Sequence, residues 1–180
     1  MFSDPHKNLE QFDIAPGMKV ADFGSGAGHY TFLLARAVGE SGRVYALDVQ
    51  KDLLVTLKRE ADKAHLFNVE VICTDFDIAA DAKTGATKLK ENILDRAIVA
   101  NVLFQITHRE QFVKEIVRVM RSEGKILVVD WTDSFGGIGP DKKSIVPKQK
   151  CRSMFEAAGL TFEKEISAGS HHYGFVFKKI

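Results

Sequence analysis

Apolar and polar positions alternate along the chain in blocks that change period from strand-like to helix-like and back. KVADF (Lys19–Phe23) is a compact apolar run, and HYTFLLARAVG, from His29 to Gly39, has helical spacing that stops at a glycine. GRVYALD (Gly42–Asp48) is a second strand. A helix follows from Lys51 to Ala64, with Leu53, Leu54, Leu57 and Ala61 on one face. VEVIC (Val69–Cys73), RAIVANV (Arg96–Val102) and KILVVDW (Lys125–Trp131) predict three more strands. His108–Arg121 reads as an amphipathic helix with Phe112, Ile116, Val119 and Met120 inward, and a further helix runs from Pro147 to Ala158. Residues 76–92 are polar and weakly periodic and predict no element.

The ends differ from the middle. Asp4-Pro5 reads as a helix cap followed by proline in the first turn, opening a short N-terminal helix toward Phe12 that Ala15-Pro16-Gly17 breaks. At the other end LTFEKEI and SHHYGFVFKK, with Ala168-Gly169 between them, predict a pair of antiparallel strands. Five strand–helix steps closed by a hairpin imply an α/β fold, a doubly wound, mostly parallel sheet with one reversed strand.

Length and composition narrow the setting. The chain has 180 residues, 45% hydrophobic and 27% charged, which suits one domain over residues 1–180. A net charge of +1 offers no large basic field for nucleic acid or a membrane surface. No stretch approaches the roughly 20 apolar residues that span a bilayer. No secretory leader is visible, and Cys73 and Cys151 form no CxxC pair, so a reducing cytoplasm is the expected location. His171 and His172 are adjacent on a strand and point to opposite faces, so they cannot chelate one metal together, and no metal site is expected.

The candidate chemistry sits in VADFGSGAGHY. Gly24, Gly26 and Gly28 follow the first strand at alternate positions, at the turn where doubly wound sheets hold ligands. The dinucleotide pattern GxGxxG would require glycine where His29 stands. Asp22, just ahead of the loop, would repel a pyrophosphate but suit an ammonium group. Asp48 ends the second strand, where a carboxylate accepts hydrogen bonds from ribose hydroxyls. Asp75 follows the third, where it would meet an exocyclic adenine amine. Adenine, ribose, ammonium and no phosphate describe S-adenosylmethionine.

With VADFGSGAG, YALDV, ICTDFD, RAIVANV and the terminal hairpin in place, the chain resembles the class I S-adenosylmethionine-dependent methyltransferases. Within them it is similar in style to the ubiquinone/menaquinone C-methyltransferase branch. The resemblance implies a Rossmann-like sheet of seven strands whose last strand is antiparallel. It also implies that Gly24, Ser25, Gly26 and Gly28 line the methionine and ribose side of the cofactor and that Asp22 faces its amino group. Asp48 would hold the ribose, Val49 and Phe76 would pack near the adenine, and Asp75 would bind the adenine amine. Asn101 would face the reacting methyl, and Tyr30 either reaches the cofactor carboxylate or packs its helix. The cofactor would leave as S-adenosylhomocysteine.

For the acceptor, NVLFQIT lacks the Asn/Asp-Pro-Pro-aromatic tetrapeptide of amine methyltransferases, and Val102, Leu103 and Phe104 form either an apolar wall or core. Asp130, among Trp131, Thr132 and Asp133, is the candidate for orienting the substrate or removing a proton. A small-molecule acceptor is expected. A protein or RNA acceptor, or a subunit that binds the cofactor without turnover, is the alternative. Residues 1–14 are a candidate cover for the site, as is a second copy or a partner subunit closing the pocket.

Overall fold

The computed structural model describes residues 3–77 and 86–180. The part of the uninterpreted 76–92 segment at residues 78–85 lies outside the described residues. Seven strands form one sheet: β1 (Lys19–Phe23), β2 (Arg43–Asp48), β3 (Val69–Cys73), β4 (Leu94–Ala100), β5 (Met120–Trp131), β6 (Leu160–Ile166) and β7 (His172–Lys179). Their spatial order is β3-β2-β1-β4-β5-β7-β6. The pairs from β3 to β5 are parallel, while β7 runs antiparallel between β5 and β6. This is the α/β sheet with a reversed last strand that the element pattern implied.

Helices cover both faces. The helices are α1 (Pro5–Glu10), α2 (His29–Val38), α3 (Lys51–Lys63), α4 (Arg109–Val119) and α5 (Lys148–Ala157). On one face Val20, Val44, Ala46, Ile98, Leu127, Val129 and Val176 pack with Leu34, Ala35 and Val38 of α2, Leu57 and Ala61 of α3, and Phe12 just after α1. On the other, Phe23, Val99, Val128, Phe175 and Phe177 meet Phe112, Val113 and Ile116 of α4 and Phe155 of α5. Strands buried on both faces need continuous rather than alternating apolar runs, and KILVVDW and RAIVANV are such runs. The N-terminal helix is capped as its sequence predicts, with the Asp4 side chain accepting from the backbone N–H of His6.

The boundaries of β4 and β5 differ most from the sequence reading. β4 ends at Ala100, because Asn101 turns left-handed (φ 57°) and a 3₁₀ turn follows at Leu103–Gln105. β5 begins at Met120, directly out of α4, and pairs Met120 with Leu94 before a register shift. The parallel sheet changes direction between β1 and β4, since β1 is followed outward by β2 and β3 while the chain then returns to β4. A crevice at the carboxyl ends of β1 and β4 is where such sheets bind ligands.

Candidate functional site

A cavity of about 680 Å³ opens at that crevice, within the usual range for a cofactor-sized ligand. It is lined by Asp22 and the loop residues Gly24, Ser25 and Gly26 after β1, by Asp48, Val49 and Gln50 after β2, and by Asp75, Phe76 and Asp77 after β3. Ala100, Asn101, Val102, Gln105 and Ile106 close it from the β4 side, and Ser3 and Pro5 approach from α1.

The glycine loop is held by β2. The N–H groups of Gly24 and Ser25 both donate to the Leu47 carbonyl, at 2.8 and 3.0 Å. The N–H of Gly26 donates to Asp48 Oδ2 at 2.8 Å, and that of Gly28 to the Ser25 carbonyl at 2.8 Å. These amides are therefore spent inside the protein rather than aimed at a phosphate. Gly24, Gly26 and Gly28 all have positive φ, but their surroundings differ. A Cβ on Gly24 would come within 2.6 Å of Val102 Cγ2, and one on Gly28 within 2.9 Å of Phe32. A Cβ on Gly26 would meet nothing within 4 Å. Gly26 thus keeps the cavity wall open, whereas Gly28 does not line the cavity and lets α2 settle against α3.

The electrostatics are one-signed. Among the described lining residues are four aspartates (Asp22, Asp48, Asp75, Asp77) and no lysine or arginine. Asp22 is 2% exposed; it accepts from the Thr31 hydroxyl at 2.6 Å, and among the described residues it has no cationic partner. Burial pushes its carboxyl up to about 6, against the pull of Thr31 and with a further push from Asp48. Thr31 stands in the first turn of α2, on the helix face turned to β1, which is why the sequence motif alone did not single it out. Asp48 takes the N–H of Gln50 on its second oxygen, at 2.9 Å. It therefore also fixes the turn that leads from β2 into α3.

Asp75 and Asp77 divide their work. Asp77 accepts from the N–H groups of Thr107 and His108, at 2.8–3.0 Å, tying the β3 loop to the start of α4. Burial alone would raise its carboxyl, but those donors hold it below the ordinary value. Asp75 accepts the N–H of Asp77 on one oxygen, at 2.9 Å. Phe76 packs against Phe23 and Phe112, with centroids 5.8 and 4.9 Å away, so it belongs to the core as well as to the cavity wall. Val49, 56% exposed, is an apolar side chain at the rim.

Among the described residues, two buried oxygens at the cavity have no partner: Ser25 Oγ and Asn101 Oδ1. A buried polar atom without a hydrogen bond costs about 1–3 kcal/mol, so each marks a place for a ligand donor. Asn101 is fixed by donating its N–H to the Val129 carbonyl at 2.8 Å and by the Gln105 amide on its own carbonyl at 3.0 Å.

Asp130 does not reach the cavity, which corrects the expectation that it orients substrate or removes a proton. It is fully buried, and its oxygens accept from the backbone N–H groups of Leu103 (2.9 Å) and Trp131 (2.8 Å). Alternation along β5 turns it to the α4–α5 face, and burial pushes its carboxyl up to about 6. It is a positioning residue that holds the 3₁₀ turn next to Asn101. Leu103 is core, while Val102 faces the cavity. The sequence did not point to Gln50, Gln105 and Ile106, because loop curvature rather than residue type brings them in. Tyr30 lines the cavity and also holds α1 through the Asn8 amide at 2.6 Å.

A seven-stranded sheet in this order, a glycine loop held by Asp48 and an acidic cavity beside it are the architecture of a nucleoside-binding methyltransferase fold. The family described as "Methyltransferase domain" matches residues 14–170, and the chain belongs to it. It is 29% identical over 124 residues to a demethylmenaquinone methyltransferase from Bacillus mycoides, covering 69% of this chain and 49% of that protein. It is also 29% identical over 125 residues to the ubiquinone/menaquinone biosynthesis C-methyltransferase UbiE of Shewanella pealeana, covering 69% and 47%. The chain thus spans about half the length of the curated relatives it matches. A crystal structure of an S-adenosylmethionine-dependent methyltransferase from Aquifex aeolicus superposes with a TM-score of 0.86 at 27% identity, over 99% of this chain and 91% of that one. No helix among the described residues is long and apolar enough to cross a membrane.

Proposed function

We propose that the chain binds S-adenosylmethionine in the acidic cavity and transfers its methyl group to a small hydroxylated aromatic acceptor. The observation that carries the first half is Asp22, a buried carboxylate that among the described residues has no cation beside it, in a cavity whose described lining holds four aspartates and no basic side chain other than His29. A ligand with an ammonium group and no phosphate satisfies it. In this reading Asp22 takes the amino group, Asp48 the ribose hydroxyls and Asp75 the adenine amine, with Val49 and Phe76 against the base. Gly24, Ser25 and Gly26 follow the methionine side, and Asn101 stands by the reacting methyl.

When bound, the cofactor supplies an electrophilic methyl on a positive sulfur. The protein's part is then mostly alignment and exclusion of water. Asn101, locked by its left-handed backbone, and the turn that Asp130 holds fix the wall beside the acceptor. The acceptor class rests on the names of the relatives, which are quinone-pathway methyltransferases, and on the apolar side chains of Val102 and Ile106 at that wall.

Isothermal titration with S-adenosylmethionine and S-adenosylhomocysteine tests the site. Micromolar binding that Asp48→Ala abolishes supports it, and absence of heat from a folded wild type overturns it. Transfer of a radiolabelled methyl group to naphthols and hydroquinones then tests the acceptor class.

A further inference from the structure

Along the carboxyl edge of the sheet, pleat and register send Asp22 of β1, Ala100 of β4, Trp131 of β5 and His172 of β7 to one face, the face that carries α1 and α2. Asp22 and Ala100 line the cofactor cavity. Trp131 and His172 continue the same edge beyond it, on the two strands after β4. Neighbouring strands lie about 4.8 Å apart, and Ala100 is level with Val129 and Gly174, two residues short of His172. The Cα of His172 therefore stands roughly 12 Å from that of Ala100, a span long enough for a fused two-ring aromatic plus one hydrogen bond.

His172 has no structural use that accounts for it. It is 7% exposed, and among the described residues neither ring nitrogen has a hydrogen-bond partner. An apolar ring would fill the same space without the cost that an unpartnered buried polar group carries. Burial first, and His171 beside it, hold the imidazole below its ordinary pKa, with Asp133 pulling the other way. A neutral imidazole offers one donor and one acceptor.

What lies over the imidazole is a side chain. The Trp131 indole sits against it, ring centroids 4.2 Å apart, and rests in turn on Gly139, where a Cβ would come within 2.9 Å of the indole. Across the same edge runs α1: Ser3 and Pro5 stand at the cavity, and the Gln11 amide bonds both ways with the backbone of Ser167 in the β6–β7 connection, at 3.1 and 3.0 Å. The edge from Asp22 to His172 is therefore walled on one side by the N-terminal segment.

We propose that the acceptor subsite extends from the cofactor cavity across this edge, that the acceptor displaces the Trp131 indole, and that the His172 imidazole hydrogen-bonds a hydroxyl on a planar aromatic acceptor. The inference rests on reading the main cavity as the S-adenosylmethionine site. His172 is then the residue that selects hydroxylated acceptors over bare aromatic ones.

The test uses the full chain labelled with ¹⁵N at histidine and saturated with S-adenosylhomocysteine, titrated with 1-naphthol or with naphthalene. 1-Naphthol is expected to move the two His172 ring-nitrogen resonances and to leave those of the other five histidines in place. His172→Phe, which keeps a flat ring against Trp131, is expected to weaken 1-naphthol about tenfold, as loss of one hydrogen bond does, and to leave naphthalene and S-adenosylhomocysteine unchanged. Unmoved His172 nitrogens, equal naphthol affinity in the variant, or no naphthol binding to the loaded protein each overturn the proposal. If the variant does not fold, the wild-type resonances alone decide. Failure of the wild type to bind S-adenosylhomocysteine overturns instead the cofactor reading beneath it.

Discussion

The Gly26 N–H donates to Asp48 Oδ2 at 2.8 Å while the Gln50 N–H donates to Oδ1 at 2.9 Å, so one carboxylate joins the glycine loop to the end of β2. The group proposed to hold the ribose is thus also the group that shapes the loop. Asp48→Ala is expected to weaken S-adenosylhomocysteine at least tenfold, because hydrogen bonds to a charged group contribute about 1.5–3 kcal/mol each. Titration calorimetry on wild type and variant measures it, and an affinity changed less than threefold would remove Asp48 from the site.

Gly24 and Gly26 share a left-handed backbone but predict opposite phenotypes. Gly24→Ala drives a methyl into Val102 and is expected to cost about 2–4 kcal/mol of stability, from overpacking plus the strained φ. Gly26→Ala meets no protein atom within 4 Å, so its stability loss stays near the 1–2 kcal/mol of backbone strain. Its methyl enters the cavity wall, so its main effect is on cofactor affinity. Urea denaturation and calorimetry on the pair separate the two, and equal affinity loss in both variants would contradict the assignment of the loop faces.

Asp22 makes binding depend on pH in a defined direction. Its folded carboxyl, pushed from 3.8 to about 6 by burial, is neutral at low pH and charged at neutral pH. Without ligand, the stability that the neutral form contributes is full below about pH 4 and lost as pH rises through about 6, on the order of 1–3 kcal/mol. An ammonium-bearing ligand prefers the charged form, so its affinity is expected to rise between pH 5 and 7. Asp22→Asn should flatten both profiles. Calorimetry at a series of pH values checks this, and a wild-type affinity independent of pH over that range would separate Asp22 from the amino group.

Much of the fold was legible because strand and helix periods alternate cleanly and glycines mark the turns. The carboxylates that line the cavity from β1, β2 and β3 were legible for the same reason: Asp22, Asp48 and Asp75 each stand at or just beyond the carboxyl end of an apolar run. Asp130 was misplaced because KILVVDW is apolar on both faces. A strand buried on both sides has no alternation to show whether Asp130 or Trp131 points toward the ligand. The end of β4 was missed by two residues, since the left-handed turn at Asn101 and the 3₁₀ turn after it are set by tertiary bonds to Val129 and Asp130, which no local pattern carries.

Asp130 itself gives the last prediction. As a proton acceptor it would leave the fold untouched when replaced and abolish turnover outright. As the anchor of the 3₁₀ turn it does the reverse, because removing it takes the acceptor from the buried N–H of Leu103 and from the part-buried N–H of Trp131. Asp130→Ala is therefore expected to lose about 2–4 kcal/mol of stability, two unpartnered donors' worth. Asp130→Asn, which keeps one accepting oxygen, should lose less and retain measurable methyl transfer. With the turn loosened, Asn101 loses its support, so kcat should fall more than KM rises in both variants. A stable Asp130→Asn protein with no detectable turnover at any pH would return Asp130 to the chemistry and show that the loop opens to expose it.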